Sequence, residues 1–342
     1  METVFVGLSG GVDSAVSAHL LKKEGYAVVG AFIKGWEPDF LPCTGAEDKL
    51  SAMRVAAHLK IPFVAYDLEE EYKQGVVDYF VSEYKAGRTP NPDVMCNRLI
   101  KFGVFWERAK KDGADFIATG HYAINKQKGT NYELHVSDDK EKDQTYFLWT
   151  LNQGDLSHTL FPIGRFEKSE VRRIAEEAGL PNASRRDSQG LCFLGHVDMA
   201  EFLKRYIPPE RGAVRNDAGE IIGEHEGAVF YTLGQRHGFN TQSGERLYVV
   251  KKDISKNELT VSHTPISEES KATISLLNTN VISDASDGED ILARYRYRQP
   301  LIPAHFDGNS IRFRDPELIA PGQSIVFYDR KGEVCLGGGI AA

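Results

Sequence analysis

A glycine pair framed by serines separates the first predicted strand from the first predicted helix. The segment is Ser9–Ser14, SGGVDS, and it follows a largely apolar run at residues 4–8. Apolar side chains recur after it at the i, i+3, i+4 spacing of an amphipathic helix. A strand that breaks at glycines and reopens as a helix presents unpaired backbone N–H groups and the positive end of the helix dipole. The segment therefore predicts a phosphate-binding loop in the first βα turn of an α/β fold.

The spacing within this segment excludes two common phosphate-binding motifs. A Walker loop needs GxxxxGK(S/T) and a dinucleotide-binding loop needs GxGxxG, and neither spacing is present. The SGGxDS pattern resembles the PP-loop of ATP pyrophosphatases, which cleave ATP to AMP and pyrophosphate. Gly10 and Gly11 would let the backbone approach phosphate. Ser9 and Ser14 offer hydroxyls, and Asp13 could orient the loop or hold Mg²⁺. An ordinary turn with a Ser or Asp helix cap is the alternative.

The first half of the chain alternates strand-like and helix-like segments. Predicted strands lie near residues 27–33, 61–66 and 116–119, and predicted helices lie near residues 47–59, 76–81 and 98–111. This alternation predicts a doubly wound parallel sheet, whose ligands bind at the carboxyl ends of its strands. Ser9–Ser14 and the pair Gly120–His121 both follow such ends, so we expect them to lie side by side.

The pattern changes near Lys204, where helical periodicity gives way to short alternating strands separated by Gly, Asn and Asp turns. We therefore predict three domains, at residues 1–203, 204–266 and 267–342. The first is the α/β domain, the second is a small central module, and the third is a C-terminal β-barrel.

Composition and charge bound the class of protein. The 342 residues include four irregularly spaced cysteines and no signal-peptide pattern, so we expect reduced thiols and a cytoplasmic protein. The apolar run at residues 27–33 is far shorter than the ~20 residues that span a bilayer, so no membrane association is predicted. The net charge of −8 does not favour nucleic-acid binding, so a polyanion would have to bind at local basic clusters.

Cys96 and Cys192 lie in two unusual segments. Cys96 ends the stretch GRTPNPDVMC, and we expect Cys96 or Asn97 to open the next helix, where the helix dipole favours thiolate. Cys192 lies in RRDSQGLCFLG, whose arginines and glycines predict an electropositive, movable loop. Each could instead be an inert buried thiol. Two such cysteines in a nucleotide-using chain favour thiol chemistry. Core packing is expected for Cys335, and Cys43 has no supported role.

Eight short motifs extend over nearly the whole chain, from residue 5 towards the C-terminal GEVCLGGGI. In chain order they are SGGVDS, GRTPNPDVMCN, FIATGHYA, KDQTYFL, DSQGLCFLG, TLGQRHG, RYRQ and PGQS. This ordered series resembles the bacterial tRNA-specific 2-thiouridylase (MnmA) family of the PP-loop ATP pyrophosphatases. The resemblance implies an adenine nucleotide alpha hydrolase-like PP-loop domain, a small central domain that contacts tRNA, and a C-terminal β-barrel.

The resemblance also implies roles for single residues. ATP would bind to Gly7, Leu8, Ser9, Gly10, Gly11, Val12, Asp13 and Ser14, with Ile33 and Gly120 beside the adenosine. The target uridine would meet Asn91, Pro92 and Asp93. The tRNA would contact His121, Lys142, Asp143, Gln144, Arg296, Tyr297 and Gln323. The catalytic residues would be Cys192, which carries a persulfide, its partner thiol Cys96, and Asp93. The resemblance implies no protein-bound metal site.

The activity implied is ATP-dependent thiolation of the wobble uridine of tRNA. ATP, accompanied by Mg²⁺, would adenylate the C2 oxygen, and sulfur from a cysteine persulfide would replace it, giving 2-thiouridine, AMP and pyrophosphate. The partners implied are the tRNAs for Glu, Gln and Lys and a persulfide donor such as a cysteine desulfurase or sulfur-relay protein, with the chain as a monomer. Release of sulfur could form a Cys96–Cys192 disulfide or free hydrosulfide. A lysidine synthetase-like ligase and a non-catalytic tRNA-binding protein are the alternatives.

Overall fold

The described residues form three β-sheets, of which the first is flanked by helices. The computed structural model describes residues 1–38, 40, 45–186, 198–241, 246–265, 270–283 and 289–342. The strands are β1 (Thr3–Gly7), β2 (Ala27–Lys34), β3 (Phe63–Asp67), β4 (Phe116–Ala118), β5 (Ala123–Lys128), β6 (Asn131–Val136), β7 (Thr159–Leu160), β8 (Gly212–Arg215), β9 (Ile221–His225), β10 (Asn240–Thr241), β11 (Tyr248–Asp253), β12 (Glu258–Ser262), β13 (Lys271–Val281), β14 (Glu289–Arg294), β15 (Ile302–Phe306), β16 (Ser310–Glu317), β17 (Ser324–Tyr328) and β18 (Val334–Ala341).

The helices lie mainly in the first 203 residues. The α-helices are α1 (Val12–Lys23), α2 (Gly45–Leu59), α3 (Glu69–Tyr72), α4 (Tyr79–Lys85), α5 (Pro92–Met95), α6 (Phe105–Lys111), α7 (Gln153–Ser157), α8 (Lys168–Glu177) and α9 (Met199–Leu203). Two π-helical stretches, Lys73–Asp78 and Cys96–Val104, join α3 to α4 and α5 to α6. Among the described residues, no helix combines the length and the apolar character that crossing a membrane requires.

The first sheet is parallel, with strand order β3-β2-β1-β4-β7. Its central strand β1 is buried on both faces. Val4 and Val6 join the cluster that includes side chains of α1, α2 and α8. Phe5 joins the opposite cluster, with side chains of α4 and α6. Helices therefore cover both faces, which confirms the predicted doubly wound sheet.

The second sheet is mixed, with strand order β10-β9-β8-β12-β11, in which only β8 and β12 pair in parallel. The third sheet contains a closed barrel. Its strands follow the order β13-β16-β15-β14-β17-β18, and β13 pairs back onto β18. The predicted C-terminal β-barrel is therefore confirmed.

One hairpin crosses between the first and third sheets. Strands β5 and β6 follow the parallel strand β4 in sequence, yet β6 pairs with β18 of the barrel through Leu134 and Cys335. Cys335 is fully buried there, as expected. The predicted domain boundaries stay a prediction, because residues 266–269 lie outside the described part of the chain.

The helix that contains Cys96 begins earlier than expected. Pro92 is its first residue, and the side chain of Asn91 accepts a hydrogen bond from the backbone N–H of Val94 at 3.3 Å. The prediction that Cys96 or Asn97 opens this helix is therefore wrong. A capping Asn followed by Pro is a strong start signal, and it places Cys96 beyond the first helical turn.

Candidate nucleotide and base site

The predicted phosphate loop joins β1 to α1, and its own hydroxyls stabilise it. The Ser14 hydroxyl lies 3.3 Å from that of Ser9, accepts from the backbone N–H of Ser9 and donates to the carbonyl of Gly11. Gly11 caps α1 without a side chain. First-turn N–H groups of a helix have no intrahelical partner, so this turn can receive an anion.

Gly10 determines the shape of the loop. Its φ is +79°, and a Cβ there would lie 2.6 Å from the carbonyl oxygen of Asp48. The Gly10 carbonyl accepts hydrogen bonds from Ser51, Asn182 and Arg185, at 2.8, 2.9 and 3.2 Å. Arg185 also forms an ion pair with Asp48. Neighbouring elements thus fix the peptide of Gly10 before any ligand binds.

The expected neighbour of this loop is also in place. A Cβ at Gly120, which follows β4, would lie 2.7 Å from the backbone nitrogen of Ser14. Ile33 lies near the carboxyl end of β2, and Leu8 and Val12 are buried in the core. The side chains of Leu8 and Val12 therefore pack in the core, and only their backbone groups can contribute to the loop.

A lysine at this loop was not foreseen from the sequence. Lys168, the first residue of α8, donates from Nζ to Oδ1 of Asp13 at 2.6 Å. The hydroxyl of Tyr122 donates to the same oxygen at 3.1 Å. The loop thus has a cation although it lacks the lysine of a Walker motif. Asp13 and Lys168 are 155 positions apart in the sequence, so no local signal predicts this contact.

A pocket of 240 Å³ lies where the loop before Cys96 meets the barrel. Six of its residues were predicted to contact the uridine or the tRNA: Asn91, Pro92, Asp93, Arg296, Tyr297 and Gln323. Pro90, Tyr146 and Phe147 complete the lining. The rings of Phe147 and Tyr297 have centroids 4.6 Å apart. Half-buried aromatic rings beside an arginine suit the stacking of an unstacked base.

Two later segments of the chain hold the loop before Cys96. The backbone N–H of Thr89 donates to the carbonyl of Pro321 at 2.7 Å, and Nε2 of Gln323 donates to the carbonyl of Thr89 at 2.9 Å. The hydroxyls of Thr89 and Thr232 lie 3.2 Å apart. One wall of the pocket therefore depends on contacts from segments before β11 and before β17.

The predicted catalytic residues are only partly described. Asp93 lines the pocket, and Cys96 follows one turn later on the same helix. Cys96 is 2% exposed and packs in the main core. Cys192 and Cys43 lie outside the described residues. Cys335 is outside any disulfide. Among the described residues, no group of three or more His, Cys, Asp or Glu could hold a metal ion.

Two of the predicted tRNA contacts have buried side chains. Asp143 forms an ion pair with Arg294 and accepts from the hydroxyl of Thr145. His121 is 7% exposed and lies 2.7 Å from the hydroxyl of Thr119 through Nδ1. Burial holds the pKa of His121 well below its ordinary value, so the ring is neutral.

Lys142 and Gln144, which were also predicted to contact the tRNA, are half-buried. Oε1 of Gln144 accepts from the backbone N–H of Tyr122 at 2.9 Å, and Lys142 donates its backbone N–H to Asp139. Sequence reasoning did not assign Tyr146 and Phe147, although both follow directly in the motif KDQTYFL. Adjacent aromatics beside a predicted RNA contact were the available signal.

The fold and this site define a class: an α/β nucleotide-binding domain that carries a phosphate loop and forms a base-sized pocket together with a β-barrel. Three family models match the chain. They are a tRNA methyl transferase HUP domain at residues 2–196, a tRNA methyl transferase PRC-barrel domain at 200–263, and an aminomethyltransferase beta-barrel domain at 271–341.

Curated relatives give a more specific name. The tRNA-specific 2-thiouridylase MnmA of Listeria monocytogenes serotype 4a is 46% identical over 349 residues, covering 98% of this chain and 93% of the relative. The tRNA-specific 2-thiouridylase MnmA 2 of Geobacillus kaustophilus is 45% identical, with the same coverage. The chain belongs to the tRNA-specific 2-thiouridylase family, which confirms the predicted resemblance.

A solved structure is similar at a lower level. The U34-tRNA thiolase NcsA of Methanococcus maripaludis has a TM-score of 0.37 and 18% identity, covering 60% of this chain and 67% of that one. A similarity of this size carries no information about function.

Proposed function

We propose that this chain is an ATP-dependent tRNA 2-thiouridylase that modifies the wobble uridine. The observation that carries the proposal is the 240 Å³ pocket, which brings together Asn91, Pro92, Asp93, Arg296, Tyr297 and Gln323. These residues come from two distant parts of the chain, and the helix that begins in the pocket also contains Cys96. Membership of the 2-thiouridylase family supports the same activity.

The first step activates the uridine. Its C2 oxygen attacks the α-phosphorus of ATP, a new P–O bond forms, and the bond to the β-phosphate breaks, releasing pyrophosphate. The loop Ser9–Ser14 would bind the phosphates through its backbone N–H groups, which stabilises the charge that develops on the leaving group. Mg²⁺ bound to the phosphates and to the Asp13 carboxylate would supply further neutralisation.

The second step inserts sulfur. The terminal sulfur of a persulfide on Cys192 attacks C2, and the C2–O bond breaks as AMP leaves with its electron pair. Cys96 thiolate can then attack the inner sulfur, which forms a Cys96–Cys192 disulfide and leaves the sulfur on C2. Alternatively, Cys96 can free hydrosulfide from the persulfide before the attack. Splitting one difficult substitution into two steps is the usual gain of covalent catalysis.

The remaining assignments follow from the same proposal. The substrates would be the tRNAs for Glu, Gln and Lys, and a cysteine desulfurase or sulfur-relay protein would supply the persulfide to Cys192. The chain would act as a monomer in the cytoplasm. His121, Lys142, Asp143 and Gln144 would belong to the tRNA-binding region, with Asp143 and His121 acting through their buried contacts.

Mass analysis of nucleosides tests the proposal directly. Substrate tRNA is incubated with the protein, ATP and a sulfide or persulfide donor, then digested and searched for 2-thiouridine. We expect product from the natural chain and none from Cys192→Ser, which should still bind ATP. Cys335→Ser is the matched control, because burial in the barrel raises the pKa of that thiol to about 12 and keeps it unreactive. Normal product from Cys192→Ser would overturn the sulfur-transfer role.

A further inference from the structure

Lys168 lies at the phosphate loop although it is remote from it in sequence. Its ammonium group donates to Oδ1 of Asp13 at 2.6 Å and lies 5.8 Å from the ring centroid of Tyr122. The Lys168 side chain is 13% exposed and that of Asp13 is 32% exposed. The two side chains are thus partly enclosed, and they form an ion pair at the loop.

The position of Lys168 is fixed by its own helix. Its backbone N–H donates to Oδ2 of Asp139 at 2.9 Å, and Glu167 and Glu170 form a capping box at the start of α8. Val171 and Ala175 of α8 pack in the cluster that includes α1. The ammonium group is therefore presented to the loop by a helix that packs beside α1.

The charges at the loop favour a cation beside the phosphates of ATP. Asp13 adds a negative charge within the first turn of α1, where the triphosphate of ATP would bring several more. A carboxylate and a phosphate that lie close together repel each other where water is partly excluded. The ammonium group of Lys168 offsets the Asp13 carboxylate, and its flexible stem would allow it to turn towards a phosphate bound at the loop.

We propose that Lys168 is the phosphate-binding cation of this loop, held by Asp13 in the nucleotide-free chain and contacting the departing pyrophosphate when ATP is bound. The proposal rests on the ATP chemistry of the proposed function. Lys168 of α8 would then supply the positive charge that a Walker loop obtains from the lysine of its own motif. Tyr122 keeps a hydrogen bond to Asp13 when the ammonium group turns to the phosphate.

The experiment measures pyrophosphate release in the presence of substrate tRNA, together with ATP affinity by calorimetry. Lys168→Met keeps the length of the stem and removes the charge. We expect it to lower the rate of pyrophosphate release roughly 100-fold or more, the usual effect of removing one preorganised charge-stabilising donor. Lys168→Arg should restore part of the rate. Lys204→Met is the control, because Lys204 pairs with Glu201 and Glu226 away from the loop and should leave the rate unchanged.

A double-variant cycle separates direct contact from a structural role. If Lys168 touches phosphate, Asp13→Asn combined with Lys168→Met should release pyrophosphate at least roughly tenfold more slowly than Asp13→Asn alone. Equal rates in the single and double variants would mean that Lys168 only positions Asp13, and they would overturn the proposal. So would a Lys168→Met rate close to that of the natural chain.

Failure of the proposed function is recognised separately. A natural chain that binds ATP but gives no tRNA-dependent pyrophosphate would contradict the thiouridylase proposal and leave the calorimetric comparison intact. In that case, weaker ATP binding by the Asp13→Asn, Lys168→Met double variant than by Asp13→Asn still supports the contact. Equal ATP affinity of these two variants contradicts it.

Discussion

Gln323 of the barrel donates a hydrogen bond from Nε2 to the backbone carbonyl of Thr89, at 2.9 Å. This bond joins the end of the barrel to the loop that precedes the Cys96 helix. Gln323 lines the pocket in which we propose that the uridine binds, and Thr89 precedes Pro90, which also lines it. The shape of that pocket therefore depends on a contact between segments 234 residues apart.

The first prediction tests this contact. Gln323→Ala should raise the KM for tRNA roughly fivefold, because a lost hydrogen bond of this kind costs about 1 kcal/mol. ATP affinity should not change. Gln153→Ala is the control, since Gln153 bonds to the carbonyls of Tyr132 and Ile282 outside the pocket. Equal effects of the two variants on the KM would refute the role of Gln323.

The second prediction concerns the buried ion pair between Asp143 and Arg294. Asp143→Asn leaves a buried guanidinium without its counter-charge, so the free energy of unfolding should fall by about 3 kcal/mol. Glu177→Gln, which breaks an exposed pair with Arg173, should cost less than about 0.5 kcal/mol. Chemical denaturation followed by tryptophan fluorescence measures both. Similar losses would contradict the structural role of Asp143.

The third prediction addresses the binding of tRNA through local basic patches. Arg296→Gln removes a positive charge at the pocket, and the logarithm of tRNA affinity should then depend less steeply on the logarithm of salt concentration. The slope should change by about 1, as expected for one lost phosphate contact. Arg173→Gln on α8 should leave the slope unaltered. A slope that stays constant in Arg296→Gln would exclude a phosphate contact by Arg296.

The fourth prediction uses His158, whose ring stacks on Trp106 at 3.8 Å between centroids. Burial lowers the pKa of His158 to about 4 from an ordinary value of 6.5. Between these pH values the unfolded chain binds more protons than the folded chain, so stability should fall as the pH is lowered from 6.5 to 4.

His158→Phe removes the titratable imidazole and keeps an aromatic ring against Trp106. The melting temperature of the variant should therefore fall less over that pH range than the melting temperature of the natural chain. His237→Gln, at an exposed position, should follow the natural chain. Parallel melting curves for the natural chain and His158→Phe would show that His158 does not carry this dependence.

Local patterns predicted most of the first sheet. Strands β1, β2 and β3 are each followed by a helix, and the glycine pair of Ser9–Ser14 marks the turn between β1 and α1. The start of the Cys96 helix was also within reach, because Asn91 and Pro92 are cap signals. The sequence analysis instead placed the start of the helix at Cys96 or Asn97 and did not use these cap signals.

The contacts that join distant segments could not be read in this way. Asp143 was expected at the tRNA surface, but its partner Arg294 lies 151 residues away and draws it into the interior. Burial of a carboxylate depends on such a partner, and no local pattern reports it. The same holds for the pairing of Lys168 with Asp13. The hairpin of β5 and β6 leaves the α/β domain for the barrel, which no alternation of strands and helices indicates.

The Thr89 hydroxyl lies beside that of Thr232, and the Thr89 carbonyl accepts a hydrogen bond from Gln323. A chain that has been synthesised only as far as its α/β portion would lack Arg296, Tyr297 and Gln323, and therefore one side of the base pocket. The pocket is thus complete only once the later part of the chain has been made.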